Sequence, residues 1–153
     1  MEAVETKKQA TGKSKGTVKI TICKSLSGIA EGAELVYQEF EKQIKELAAN
    51  AELGPGGCSM GQVGCRGYCS RDVLVDVYVP GQDPVTYEKV KPDMVVKILK
   101  DHVIGGKVFK KAAAKEDYYE NVKKQQRVVL EFGGKIDPES IDEYLEVGGY
   151  SGL

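Results

Sequence analysis

The chain contains no tryptophan, a single histidine and only four cysteines in 153 residues. Four cysteines are too few for the disulfide scaffold that stabilises small secreted proteins. Positive charge is not in excess, because 22 Lys and Arg residues face 23 Asp and Glu residues, and this balance disfavours binding to nucleic acid or to an anionic membrane. No apolar run approaches the roughly 20 residues of a membrane span, and the N-terminus lacks the apolar segment of a secretory signal. We therefore expect a cytoplasmic protein that neither binds nucleic acid nor inserts into a membrane.

Catalytic motifs are also scarce. The glycine-rich run GPGGCSMGQVG follows neither the G-x-G-x-x-G nor the P-loop pattern, and no Ser/His/Asp set or close pair of carboxylates suggests hydrolysis. The only histidine, His102, falls within a predicted helix, where we expect it to face solvent or the helix end rather than bind a metal. The cysteines remain as the main source of chemistry.

The first half of the chain predicts a polar lead, a strand and a helix. Residues 1–16 are polar, lysine-rich and without periodicity, which is typical of a disordered lead. Residues 17–22 alternate as a half-buried strand does and deliver Cys23 at its C-terminal end. After a predicted loop over 24–32, apolar residues recur at helical spacing from Ala33 to about Asn50.

The second half of the core predicts two strands and a helix. Residues 73–79 are too apolar for an edge strand, so we expect a central one, and 85–90 supply its partner after a turn. Pro92 fits the first position of a helix that runs to about Val103. These elements predict an α/β fold, a thioredoxin-like sandwich with a mixed four-stranded sheet and two main helices.

The chain changes character after about residue 107. The stretch that follows is charged and resembles a linker, and residues 126–132 could form a strand. Residues 137–140 predict the start of a helix, because Asp137 can cap it and is followed by a proline. We therefore predict a lead over 1–16, a folded domain over 17–109, and a C-terminal appendage over 110–153 that makes few contacts with that domain.

The cysteines are placed where a sheet edge would gather them. Cys23 follows the first strand, and Cys65 and Cys69 precede the central strand, so their sulfurs are expected in one loop-built pocket. Glycines at 61, 64 and 67 let such a loop turn tightly and aim N–H groups at sulfur. Ordinary buried thiols and a zinc site are alternatives, whereas a thioredoxin-type dithiol lacks its C-x-x-C. An iron–sulfur cluster fits the spacing best.

The sequence also resembles a known family. The segments VKITIC, GAELVYQEFEKQIKE, GCRGYC, VLVDVYVPG and VIGGK are similar to the thioredoxin-like [2Fe-2S] ferredoxin domain at the N-terminus of NADH-binding flavoprotein subunits, in relatives of complex I and in NAD-dependent or electron-bifurcating hydrogenases. Residues 125–150 resemble the segment that leads from that domain to the flavin domain. The resemblance implies a fragment of a longer oxidoreductase subunit. FMN and NADH would then bind only in the missing downstream domain. Other subunits of the oxidoreductase would be the partners of this domain, and the resemblance is also compatible with a homodimer.

The resemblance implies a ligand set with one departure. In the family a second cysteine lies five positions after the first, and this chain has Gly28 there. Position by position, the ligands carried over are Cys23, Cys65 and Cys69. Cys58 would supply the fourth ligand of the cluster if the glycine-rich run folds it back toward Cys23, Cys65 and Cys69. Ser25 or Ser27 could ligate instead, or the domain could have lost its cluster. Two hypotheses follow, which are an electron carrier with a [2Fe-2S] cluster and a cluster-free module that docks subunits.

Overall fold

A computed structural model describes residues 16–53 and 56–153, so nearly all of the predicted disordered lead lies outside the described residues. The described strands are β1 (Val18–Cys23), β2 (Cys58–Val63), β3 (Val75–Tyr78) and β4 (Val85–Tyr87). The α-helices are α1 (Leu26–Ala30), α2 (Ala33–Ala49), α3 (Pro92–Lys97), α4 (Glu116–Lys124) and α5 (Ile141–Glu146), and α3 continues as a π-helical segment, Ile98–Ile104.

The strands form one mixed sheet in the order β2-β1-β3-β4. β1 pairs with β2 in parallel, while β3 runs antiparallel to both β1 and β4. β3 is therefore a central strand, as its apolar sequence predicts, and the predicted α/β sandwich with a mixed four-stranded sheet is confirmed.

The core lies between the sheet and the two long helical segments, α2 and α3 with its π-helical extension. Ile20 of β1, Phe40 of α2 and Leu99 of the π-helical segment are all fully buried. In α3 the buried residue is Val95, whereas the neighbouring apolar residue Val96 is only half-buried, as is Ile44 in α2. The helical periodicity therefore identifies the correct elements, although two of their apolar positions, Val96 and Ile44, are only partly covered by the core.

Ile20 offers a direct test of this packing. Ile20→Val removes one methyl group from a fully buried side chain, and we expect the free energy of unfolding to fall by about 0.5–1.5 kcal/mol. The same substitution at Ile29, which is 54% exposed, should change it much less. Urea denaturation followed by circular dichroism measures both, and equal effects at the two positions would contradict the packing described.

Three local predictions are wrong. Residues 24–32 are not a simple loop, because Ser25 accepts a hydrogen bond from the N–H of Gly28 and begins the short helix α1. Residues 126–132 form turns rather than a strand. The charged stretch that reads as a linker contains α4, whose acidic first turn and basic last turn complement the helix dipole.

The C-terminal residues contact the sheet domain at several places. The N–H of Ala114 donates to the carbonyl of Thr86 at 2.8 Å, beside β4. Tyr118 of α4 is 3% exposed and packs edge-on against Tyr68. Gln62 of β2 donates to Glu139 at 2.9 Å. The assignment of 110–153 to the approach of a flavin domain stays a prediction.

His102 is completely buried, so the prediction that it faces solvent is wrong. Its Nδ1 lies 2.9 Å from the hydroxyl of Tyr87, and burial lowers the pKa of its imidazole. The sequence pattern of the helix does not predict this burial, because it does not show that His102 has the Tyr87 hydroxyl as a hydrogen-bond partner in the core.

A buried histidine with a lowered pKa predicts a pH dependence. The unfolded chain takes up a proton near pH 6.5, about the ordinary pKa of histidine, before the folded protein does. The free energy of unfolding should therefore be highest above that pH. As the pH falls below it, the protonation of His102 in the unfolded chain should lower this free energy by at most about 1.4 kcal/mol per pH unit. Urea denaturation between pH 7.5 and 5.5 should show this decline, and His102→Gln should flatten it. An equal decline in the variant would assign it to other groups.

Among the residues that the structure describes, no helix is long and apolar enough to cross a membrane.

Candidate metal centre

Cys23 and the loop 64–69 meet at one edge of the sheet. Cys23 is the last residue of β1 and pairs with Val63, the last residue of the parallel strand β2. The chain leaving β2 therefore enters the loop beside Cys23, whose Sγ lies 3.9 Å from the carbonyl oxygen of Gly64. Tyr68 packs over Cys23 and Val63 and holds the loop there. Cys23 therefore lies beside the start of this loop, but among the described residues its sulfur does not form one group with those of Cys65 and Cys69.

Cys65 and Cys69 form a close pair of thiols within that loop. Their Sγ atoms are 3.8 Å apart, and neither takes part in a disulfide. The N–H of Gly67 donates to the Sγ of Cys65 at 3.3 Å, from a left-handed backbone (φ +85°) that glycine adopts without strain. A tetrahedral metal with metal–sulfur bonds of about 2.3 Å holds its thiolates about 3.8 Å apart. The pair is thus already spaced to bind one tetrahedral metal ion.

A buried ion pair anchors this loop to the sheet. The Arg66 guanidinium donates through both terminal nitrogens to the carboxylate of Asp76 in β3, at 3.0 and 2.5 Å. Burial opposes the charge on Arg66, but the Asp76 carboxylate outweighs it and leaves the pKa of Arg66 raised. Thr86 and Tyr118 complete the network with hydrogen bonds of 2.6 and 3.3 Å.

The anchor is not among the predictions from the sequence, although the sequence contains a signal for it. Asp76 is the one charged residue in the apolar run VLVDVYV, and a buried carboxylate needs a partner. Arg66, in the middle of GCRGYC, was an available cation. The C-terminal segment also packs closely against this loop at Gly133. A Cβ placed on Gly133 would lie 2.6 Å from the carbonyl oxygen of Cys65, so only glycine allows this close approach.

Cys58 lies at the other end of the sheet. It begins β2 and pairs with Val18, whereas Cys23 pairs with Val63. Five strand positions separate Cys58 from Val63, which is about 17 Å at the usual rise per residue. The expectation that the glycine-rich run folds Cys58 back toward the other cysteines is therefore wrong, because residues 58–63 extend as a strand. Burial raises the pKa of Cys58 to about 11, as expected of a thiol packed against the core.

Position 28 does not hold a ligand in this fold. A Cβ on Gly28 would lie 2.4 Å from the carbonyl oxygen of Cys23, so a larger residue does not fit this backbone. The flanking hydroxyls are occupied, because Ser25 and Ser27 both donate to Oδ2 of Asp72, at 3.1 and 2.5 Å. Neither serine hydroxyl is free to act as a ligand without breaking these hydrogen bonds.

Asp72 completes the group of polar side chains around Cys23. It is 6% exposed, and its Oδ1 has no hydrogen-bond partner within residues 16–53 and 56–153. Burial raises the pKa of the Cys23 thiol, and the neighbouring Asp72 carboxylate adds to this rise. Asp72 also follows Cys69 closely, since its N–H donates to the carbonyl of Cys69 at 3.2 Å.

These donors fall into two pairs rather than one cluster. No three Cys, His, Asp or Glu side chains of the described residues gather around a single metal ion. A [2Fe-2S] cluster, however, takes two protein ligands at each of its two irons. Cys65 with Cys69 would form one such pair, and Cys23 beside Asp72 offers the donors for the other. The two pairs match a two-iron centre in the number and chemistry of their donors, but the predicted set of four cysteines is not brought together.

The fold is shared with solved structures of a thioredoxin-like [2Fe-2S] ferredoxin from Aquifex aeolicus. One matches with a TM-score of 0.54 at 22% identity, over 65% of this chain and 92% of that one. The wild-type structure gives 0.56 at 22% identity, over 66% and 99% of the two chains. A cysteine-to-serine variant of it gives 0.53 at 22% identity, over 65% and 99%. No protein-family model matches the chain and no curated protein does so. At this identity the likeness establishes the thioredoxin-like fold.

Proposed function

We propose that this domain transfers single electrons through a [2Fe-2S] cluster held at the edge of the sheet where β1 and β2 end. The observation that carries the proposal is the pair Cys65 and Cys69, whose sulfurs are 3.8 Å apart and receive an N–H from Gly67. Solved proteins of the same fold are named as [2Fe-2S] ferredoxins, which supports it. A cluster of this kind would accept and release one electron without other chemistry.

The residues of the chain have distinct tasks in this proposal. Cys65 and Cys69 hold one iron, and Cys23 contributes to the other. Hydrogen bonds to sulfur tune the potential of a cluster, and Gly67 supplies one to Cys65. Arg66 fixes the loop through its buried pair with Asp76. Cys69 is exposed, so this edge of the domain is open to an electron donor or acceptor.

The same proposal places the domain in a larger NADH-dependent oxidoreductase, related to complex I or to NAD-dependent hydrogenases and located in the cytoplasm. FMN and NADH would bind in a downstream domain, and other subunits would be the redox partners. Apolar surface near the thiol pair supports a protein partner, since Val128 and Val129 are 77% and 94% exposed and the adjacent Leu130 lies close to Gly67.

Anaerobic reconstitution tests the proposal. Purified protein is incubated with ferrous iron, sulfide and a reducing agent, then separated from free iron by gel filtration. We expect a visible charge-transfer spectrum and about two irons and two sulfides per chain, as a [2Fe-2S] cluster requires. A folded protein without colour or iron would instead support the alternative function, a cluster-free module that docks subunits.

A further inference from the structure

We propose that the Asp72 carboxylate is the fourth protein ligand of this centre, in place of the cysteine that position 28 lacks. This inference rests on the proposed function and deepens it, because it names the donor that completes the site. It replaces both Cys58 and the two serines in the set of ligands considered from the sequence.

The unpartnered oxygen of Asp72 is the first observation. A buried carboxylate oxygen without a hydrogen bond costs free energy, so native structures nearly always satisfy such an atom. Oδ2 of Asp72 accepts from two serine hydroxyls, while Oδ1 has no partner in the described part of the chain. A bound cation would satisfy Oδ1, and oxygen is a ligand that iron accepts.

The position of Asp72 is the second observation. Its carboxylate is hydrogen-bonded to Ser25 and Ser27, the residues just before Gly28, so it lies beside the place from which a ligand at position 28 would act. Its backbone is tied to Cys69 by a hydrogen bond of 3.2 Å. Asp72 therefore links the helix that follows Cys23 to the loop that carries the other two thiols.

The competing donors are excluded by the same geometry. Cys58 is at the far end of β2, about 17 Å from the loop. Gly28 cannot carry a side chain without moving the backbone of Cys23. Ser25 caps α1, and a serine ligand would have to give up a hydroxyl proton that now serves Asp72. A carboxylate needs no such change.

Asp72 could instead serve only to hold α1 against the loop through its two serine hydrogen bonds. Asp72→Asn separates the two roles, because its amide oxygen can still accept from both hydroxyls while its charge is lost. Asp72→Cys supplies a thiolate at the same position. Cys58→Ala is the matched control, since it removes a thiol that lies outside the proposed site.

The experiment compares iron content and the visible and electron paramagnetic resonance spectra of these proteins after anaerobic reconstitution, with folding checked by circular dichroism. We expect Asp72→Asn to retain less than about one tenth of the wild-type iron, since even indirect partners of a ligand change metal affinity about 10- to 100-fold. Asp72→Cys should retain a cluster, with a shifted spectrum, and Cys58→Ala should match the wild type.

The outcomes separate the two proposals. A folded Asp72→Asn protein with wild-type iron and spectra would overturn the ligand role of Asp72 and leave the cluster in place. Loss of the cluster in Cys58→Ala would also overturn it. A wild-type protein that binds no cluster would contradict the proposed function itself.

Discussion

Asp76→Ala is expected to lower the free energy of unfolding by about 3–5 kcal/mol, because it leaves the guanidinium of Arg66 buried without its counter-charge. Arg66 is 7% exposed and Asp76 is 3% exposed, so water cannot replace the lost carboxylate without opening the structure. The hydroxyl of Thr86 loses its acceptor as well. Chemical denaturation measures the change.

The control for Asp76 is another Arg–Asp pair in the same protein. Asp117 pairs with Arg71 at 2.5 Å, but its side chain is 56% exposed, and solvent screens a pair of that kind. Asp117→Ala should therefore change stability far less than Asp76→Ala. If both variants lose similar stability, the Arg66–Asp76 pair does not anchor the loop as described.

Cys65→Ala is expected to abolish the reconstituted iron and its visible spectrum. Cys65 and Cys69 are the two sulfurs that already stand at the spacing of one tetrahedral metal, so removing either leaves an iron with a single thiolate. The loss should occur without unfolding, because Cys65 is only half-buried and contributes little to the core. Iron analysis after gel filtration gives the result.

Cys58→Ala is again the control, because it deletes one cysteine of the same chain away from the loop. It should retain the wild-type iron content. A Cys65→Ala protein that keeps its cluster would contradict the assignment of the thiol pair, and an equal loss in Cys58→Ala would contradict the placement of Cys58 outside the site.

Periodicity in the sequence predicts the architecture well because it reports burial. The alternation in residues 17–22 and the apolar run that contains Val75 and Val77 are direct consequences of a sheet covered by helices. The helical spacing in α2 likewise places Val36 and Phe40 in the core. The position of Cys23 beside the start of the loop 64–69 follows from the same topology, since the parallel strands β1 and β2 end at one edge.

The remaining parts depend on contacts that periodicity does not report. β2 contains Cys58, Gly61 and Gln62 and lies at the edge, so its composition resembles a glycine-rich loop. α1 depends on the Ser25 cap rather than on an apolar face. Asp72 gives no sequence signal as a ligand, because its position beside Ser25 and Ser27 arises only from tertiary folding.

Mössbauer spectroscopy of the protein reconstituted with ⁵⁷Fe tests the proposed site most directly, because each iron reports its own ligands. With Cys65 and Cys69 on one iron and Cys23 and Asp72 on the other, the oxidised wild type should give two distinct quadrupole doublets of equal area. Asp72→Cys should give more similar doublets, since both irons would then have thiolate ligands alone. A single doublet from wild-type protein that holds two irons per chain would contradict the site, because it would mean that both irons have the same ligands.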